Sequence, residues 1–433
     1  MAVTSALPAE SASQADAVYR KVAWRLLPFL FVCYVVAYLD RVNVGFAKLQ
    51  MMSDLKFSET AYGLGAGIFF IGYFLFEIPS NLILHRTGAR RWIARIMITW
   101  GVLSAATMFV TSETMFYIVR FLLGAAEAGF FPGIILYLTY WFPAQQRGRI
   151  VALFMTAIAM SGVIGGPLSG WIMSELNGVN GWAGWQWLFL LEGLPSVAMG
   201  IAVLFYLDDS IRSAAWLSSE EKDLLERNIA ADQKTQAHMS VGQTLRDPRV
   251  LLLAALYFCF IMGLYGVSFW LPQLIKGLGV TSLMSIGLLS AIPYGVAAMA
   301  MVWVGRSSDT RGERRMHLVV PAVLAALGLA LAGQFSGQPV LGMLALTLGT
   351  AGVLSVLPVF WTLPTALLGG AGAAAGIALI NSVGNLAGFA SPFMVGAIKD
   401  ATGSTTLAMF VLAASMLLGA ALAVLATRRK RGA

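Results

Sequence analysis

About twelve apolar segments, each too long for a strand and too hydrophobic to face water, leave this 433-residue chain few ways to fold. They lie at about 24–47, 60–84, 92–110, 115–141, 150–173, 186–206, 250–275, 284–304, 317–335, 340–362, 373–397 and 405–427. A helix needs roughly 20 apolar residues to cross a hydrocarbon layer about 30 Å thick, so each segment reads as one membrane span. Lipid offers no partner for a bare peptide group, which restricts spanning segments to helices and closed barrels. A barrel would show short alternating segments, and these are long and continuous. The rest of the composition agrees, with 58% hydrophobic residues, 12% charged ones and a mean hydropathy of +0.76. The fold class is therefore an all-α membrane protein.

Charge placement then gives an orientation. Of the 29 Lys and Arg, about 23 fall in the termini, in alternate loops such as HRTGARR (85–91), QQRGR (145–149) and RSSDTRGERR (306–315), or in the span ends beside them. Lys48, Lys56, Lys276 and Lys399 lie on the other side. The positive-inside rule puts both termini in the cytoplasm, consistent with an even number of spans in a cytoplasmic (inner) membrane. The polar N-terminal stretch lacks the basic-then-apolar order of a cleaved signal peptide. The net charge of +8 and the basic tail RRKR (428–431) are accounted for by topology and anionic headgroups, with no nucleic acid implied. Cys33 and Cys259 fall far apart inside spans, and the three His lack ligand spacing, so neither a disulfide nor a metal nor an organic cofactor is expected.

The longest loop divides the chain into 1–207, a linker at 208–248, and 249–433, with six spans on each side. Within the linker, Ser218 and Glu221 form a capping box ahead of Leu224, Leu225 and Ile229, which predicts a short surface helix. The two halves repeat one another. One offset aligns Gly88 with Gly312, Arg90 with Arg314 and Arg91 with Arg315, and carried back it pairs Tyr62-Gly63 with Ile286-Gly287. Two similar six-helix halves point to a pseudo-symmetric transporter.

Gly305-xxx-Asp309-xx-Gly312-x-Arg314 resembles the loop signature of the major facilitator superfamily, although His85 takes the acidic place in the first half. YLDRVN (38–43), EIPSN (77–81), GARRW (88–92), RFLLGAAEAGFFPG (120–133) and FWTLPTALLGGAGAAAGIALINSVGNLAGFASP (360–392) resemble, nearly word for word, its anion:cation symporter family. The resemblance covers almost the whole chain. It implies a major facilitator fold and proton-coupled uptake of an organic anion, in a branch handling sugar acids, tartrate and aromatic carboxylates such as phthalate. It also implies that Asp40 and Glu127 are the protonation sites, and that Trp361, Asn381 and Asn385 contact substrate. No enzymatic activity is implied, and a monomer is expected.

The charged residues inside spans lead to the same place by a separate route. An ionisable side chain at depth costs at least about 2.5–3.5 kcal/mol on insertion scales, so each one needs a reason. Asp40 and Arg41 are neighbours on one helix and point about 100° apart, so each requires a partner elsewhere. Arg120 and Glu127 share a face of the fourth span, about 10 Å apart along its axis. Counted from the outer ends, Arg41 and Arg120 both lie about 8–10 Å deep, with Glu127 nearer the midplane. Two guanidinium forks above a carboxylate suggest an anion site. Asp40 and Glu127 are the proton-coupling candidates, because a desolvated carboxyl favours its neutral form and a proton there would favour anion binding.

Tyr38 and Tyr73 are further candidate donors to a substrate carboxylate. Glu77 and Glu192 read as structural or gating pairs, with Glu77 close to the basic turn. GVIGGPLSG (162–170) resembles a glycine-proline pattern of antiporters, which keeps an exporter or exchanger of the same fold as the alternative; close helix packing is the plainer explanation. GGAGAAAG (369–376) reads as a turn and helix start, lacking the Lys and Ser/Thr of a phosphate cradle. WAGWQW (182–187) reads as interfacial anchoring.

Overall fold

The structure is a computed structural model describing residues 9–235, 241–335, 337–367 and 370–428. The first residues of the chain, most of the RRKR tail and Gly369 lie outside the described residues. Among the described residues, twelve helices are long and apolar enough to span a membrane. They are α1 (Ala15–Leu55), α2 (Glu59–Thr87), α3 (Ala89–Phe109), α4 (Glu113–Thr139), α5 (Leu153–Glu175) and α6 (Gly184–Tyr206) in the first half. The second half has α7 (Pro248–Gly277), α8 (Leu283–Arg311), α9 (Arg315–Gln334), α10 (Pro339–Pro364), α11 (Gly376–Thr402) and α12 (Thr406–Ala426).

The main departure from the apolar segments is α1, which extends well beyond 24–47 at both ends. Its polar first turns lie against the linker helix Ser219–Thr235, where Lys21 reaches Glu221 at 2.8 Å. That linker helix starts as its sequence predicts, with Ser218 N–H donating to Glu221 (2.8 Å) and Glu221 N–H donating to the Ser218 hydroxyl (3.2 Å). α4 is broken just after Glu127, where Ala128 is extended and Gly129 takes φ 86°, a left-handed conformation that favours glycine.

Packing follows the internal repeat. Within the halves, α2 packs on α4 as α8 packs on α10, and α3 packs on α6 as α9 packs on α12. Between them, α2 lies against α11 as α8 lies against α5, and α1 meets α7. The glycines matched by the repeat sit at equivalent crossings: Gly63 of α2 faces the α11 backbone at Pro392, and Gly287 of α8 faces the α5 backbone at Gly166. Gly162, Gly166 and Gly170, from the antiporter-like motif, all pack on α8. Small residues let these backbones approach where lipid offers no hydrophobic drive between helices.

The basic turns are similar but not identical. Gly88 and Gly312 both have positive φ (90° and 61°). In the second half Asp309 pairs with Arg314 at 2.6 Å. In the first, where His85 stands in the acidic place, Asp209 from beyond α6 supplies the carboxylate and accepts from Arg90 N–H at 2.8 Å. Trp185 also departs from the interfacial reading, being buried with its indole N–H on Asp54 (2.9 Å), where it ties α6 to α1.

A Cβ at Gly166 would lie 2.6 Å from the Gly287 carbonyl oxygen, a backbone atom that cannot move alone. Gly166→Val should cost about 1–3 kcal/mol and lower the unfolding temperature of the purified protein. Gly295→Ala, whose nearest neighbour would be 3.9 Å away, should leave it unchanged.

Candidate functional site

Between the halves, near the middle of the helices, lies a cavity of about 30 Å³. Its wall includes Tyr34, Tyr38 and Arg41 of α1, Tyr73 of α2, Tyr257 and Tyr265 of α7, and Asn381 and Asn385 of α11. A water needs about 10–15 Å³, so this space holds one or two and no organic molecule. The structure is a contracted state, with the two halves closed around this space. The wall itself has the character of a binding site, with tyrosine rings for contact area and a few hydroxyl, amide and guanidinium groups for direction.

Arg41 is the only guanidinium on the described wall. It is 5% exposed, forms an ion pair with Glu127 of α4 through Nη2, and donates through Nη1 to the Tyr265 hydroxyl at 2.9 Å. The rings of Tyr73, Phe69 and Tyr38 lie 5.5–5.7 Å from its guanidinium carbon, within cation–π range. One half therefore holds the charge while a phenol of the other half touches it.

Asp40 turns away from Arg41, as adjacent helical positions must. Its carboxylate accepts from the Trp100 indole N–H (2.7 Å) and Ser104 (2.8 Å) on α3, and from Ser196 on α6. Three donors satisfy a buried carboxylate without a cation, and they place Asp40 inside the first half, behind the cavity wall.

Arg120 is not on the described cavity wall, although its guanidinium carbon and that of Arg41 lie 5.0 and 5.6 Å from the same Phe69 ring. It is fully buried against α2, with Nε directed at the Gly65 carbonyl (3.4 Å) and Nη2 at the Ala66 carbonyl (3.5 Å). Its Nη1 has no acceptor among the described residues. Rise per residue fixes height along a helix and says nothing of which neighbour a side chain meets. Trp361 forms a second layer, its ring 5.1 Å from Tyr257 and 6.0 Å from Phe131.

Asn381 and Asn385 reach the cavity, but their amides are engaged. Asn381 Nδ2 donates to Glu77 Oε1 at 2.7 Å, Ser382 Oγ to Oε2 at 3.0 Å, and Asn385 Nδ2 to Oε2 at 3.4 Å. Glu77 thus pairs with α11 of the opposite half and not with the basic turn. Glu192 accepts from Ser169 at 2.7 Å in a separate cavity of about 20 Å³ that Asn43 also lines.

A cluster of charges without an evident role in the sequence closes the far end. Lys48 of α1 and Lys399 of α11 both contact Glu59 at 2.5 Å, and the Lys48 ammonium sits 3.2 Å from the centre of the Trp270 ring. Asp400 of α11 accepts from the first amides of α2, at 3.2 Å from Glu59 and 2.7 Å from Thr60. The Tyr62 hydroxyl donates to the Phe269 carbonyl at 3.1 Å. A signal was present: Lys48 and Lys399 are two of the few cations on that side, each at the end of a span, and Lys399 stands beside Asp400.

Comparison with known proteins follows the same outline. A family model described as Major Facilitator Superfamily matches residues 30–392. A protein of Agrobacterium vitis named "Putative tartrate transporter" is 50% identical over 414 residues, covering 95% of each chain. A "Quinolone resistance transporter" of Acinetobacter baumannii is 43% identical over 405 residues, covering 93% of each. The xylose transporter XylE from E. coli, solved in a partially occluded inward-open conformation, superposes with a TM-score of 0.74 at 14% identity, covering 92% of this chain and 98% of that one.

Removing one member of a buried ion pair leaves the other uncompensated, at a cost of about 3–5 kcal/mol. Glu127→Ala should therefore lower the unfolding temperature markedly, and the double variant Glu127→Ala with Arg41→Met should recover most of the loss in the same thermal scan.

Proposed function

Because the chain belongs to the major facilitator superfamily, a multi-pass inner-membrane transporter and not an enzyme, we propose that it takes up an organic carboxylate together with protons by alternating access. Both termini face the cytoplasm in this reading, the cargo being a sugar acid, tartrate or an aromatic acid such as phthalate. The observation that carries it is Arg41, a permanently charged fork on the wall between the halves whose only carboxylate partner among the described residues is Glu127.

The chemistry is an exchange of counter-ions. With Glu127 ionised, Arg41 is neutralised internally and has little attraction for an anion. A proton on Glu127 releases the guanidinium, which then accepts the cargo carboxylate through two parallel hydrogen bonds. Proton and anion thus raise each other's affinity, as linkage requires. Tyr38, Tyr73, Tyr265, Asn381 and Asn385 complete the contacts once the halves part, with Trp361 backing the aromatic wall. Asp40 is the second proton site: neutralising it changes what Trp100, Ser104 and Ser196 hold, and so changes the seat of α1. Arg120 acts from behind, setting the local charge around Glu127 and fixing α4 on α2. One copy of the chain contains every group this cycle uses.

A second reading, export or exchange, draws on the relative named for quinolone resistance. Vesicles separate the two. With an inward proton gradient imposed on proteoliposomes, the carboxylate that gives the largest thermal shift in a panel should accumulate; its net loss from preloaded vesicles would favour export.

Two variants complete the test. Arg41→Ala should weaken binding of that carboxylate at least about tenfold, since a hydrogen bond to a charged group is worth about 1.5–3 kcal/mol. Glu127→Gln should bind it with little dependence on pH and fail to accumulate it against a gradient, as read by calorimetry and radiotracer uptake. Wild-type affinity in Arg41→Ala would overturn the anion site.

A further inference from the structure

α2 and α11 run antiparallel across the junction of the halves, and polar contacts join them at two heights. At the far end Glu59 meets Lys399, and toward the basic turns Glu77 meets Asn381. The two contacts are separated by 18 positions on each helix, five turns or roughly 27 Å. The lower one is unusual in kind. A carboxylate that is 0% exposed is held by three neutral donors, all from one face of the opposite half: Asn381, Ser382 and Asn385.

Two of these donors are cavity-wall amides directed, in the contracted state, at a carboxylate. We infer that Glu77 is an internal ligand of α11: its carboxylate occupies Asn381 and Asn385 when no cargo is bound, latches the halves at the end bearing the basic turns, and is displaced when a cargo carboxylate claims the same amides. This deepens the carboxylate reading above and rests on it for the identity of the displacing group. The latch itself rests only on the contact between α2 and α11.

Donor supply limits what these amides can hold. Each amide offers two N–H groups, and one of each is spent on Glu77, so an arriving carboxylate meets a half-engaged pair. Displacing Glu77 strips a buried carboxylate of donors, which is unfavourable unless the halves part and water reaches it. Cargo binding and opening at that end are thereby tied together. In the absence of cargo, the latch keeps the binding-competent state sparsely populated, and the apparent affinity falls by that fraction.

The test uses purified full-length protein with Cys33 and Cys259, both buried, replaced by Ala. Spin labels at Arg86, at the end of α2, and Met316, at the start of α9, report separation of the halves at the basic face by pulsed dipolar spectroscopy without any ligand. The wild-type chain should give one short distance, and Glu77→Ala and Ser382→Ala should each add a longer component. Ser382 lies outside the described cavity wall, so its variant tests the latch without touching the cargo contacts. Calorimetry with L-tartrate and with phthalate supplies the second readout: whichever binds the wild type should bind Glu77→Ala about tenfold more tightly, because the internal competitor is gone. Unchanged distances in both variants would overturn the latch. A longer distance together with no binding of either acid to any form would leave the latch standing and count against the carboxylate cargo. Glu77→Gln, which keeps one acceptor oxygen, guards against misfolding and should fall between wild type and Glu77→Ala.

Discussion

A charge inside the hydrocarbon layer must find its counter-group within the protein, and this constraint organises the centre of the molecule. Arg41 is the clearest case. Its guanidinium cannot lose its proton, so α1 and α4 are held in the register that brings Glu127 to it. That same register places Tyr38 and Tyr73 around the cation and leaves its second edge for Tyr265 of the other half. Asp40 obeys the same rule through neutral donors, and Glu77 obeys it by borrowing donors from α11. The first solution stiffens one half, and the second joins the two halves.

Much of this was legible in the sequence, because lipid simplifies the reading. Twelve spans, their pseudo-repeat and the linker helix follow from hydropathy, one offset and a capping box, all of them local signals. The opposed directions of Asp40 and Arg41 follow from helical geometry alone. Tyr38, Arg41, Tyr73, Asn381 and Asn385 do come together, drawn from α1, α2 and α11.

The remainder depended on which helix faces which. Arg120 shares a face with Glu127 as its spacing requires, yet its side chain ends on α2 carbonyls because α2 packs closely against α4 at Gly65 and Gly124. Helical spacing contains no term for a neighbour's backbone. Glu77 illustrates the same gap. Its nearest cations in sequence are in the basic turn, but its side chain meets a helix some three hundred residues away. The far-end cluster of Lys48, Glu59 and Lys399 likewise draws on three helices, and each residue alone looks like an ordinary flanking charge.

Asp40 and Arg41 differ by a single position, yet one is bonded wholly within its own half and the other looks onto the junction. Any small turn of α1 about its own axis must therefore loosen both sets of contacts or neither. Such a helix has the geometry of a camshaft: a turn made on the side packed within the first half appears on the side that faces the junction, with no signal needing to pass through the space between.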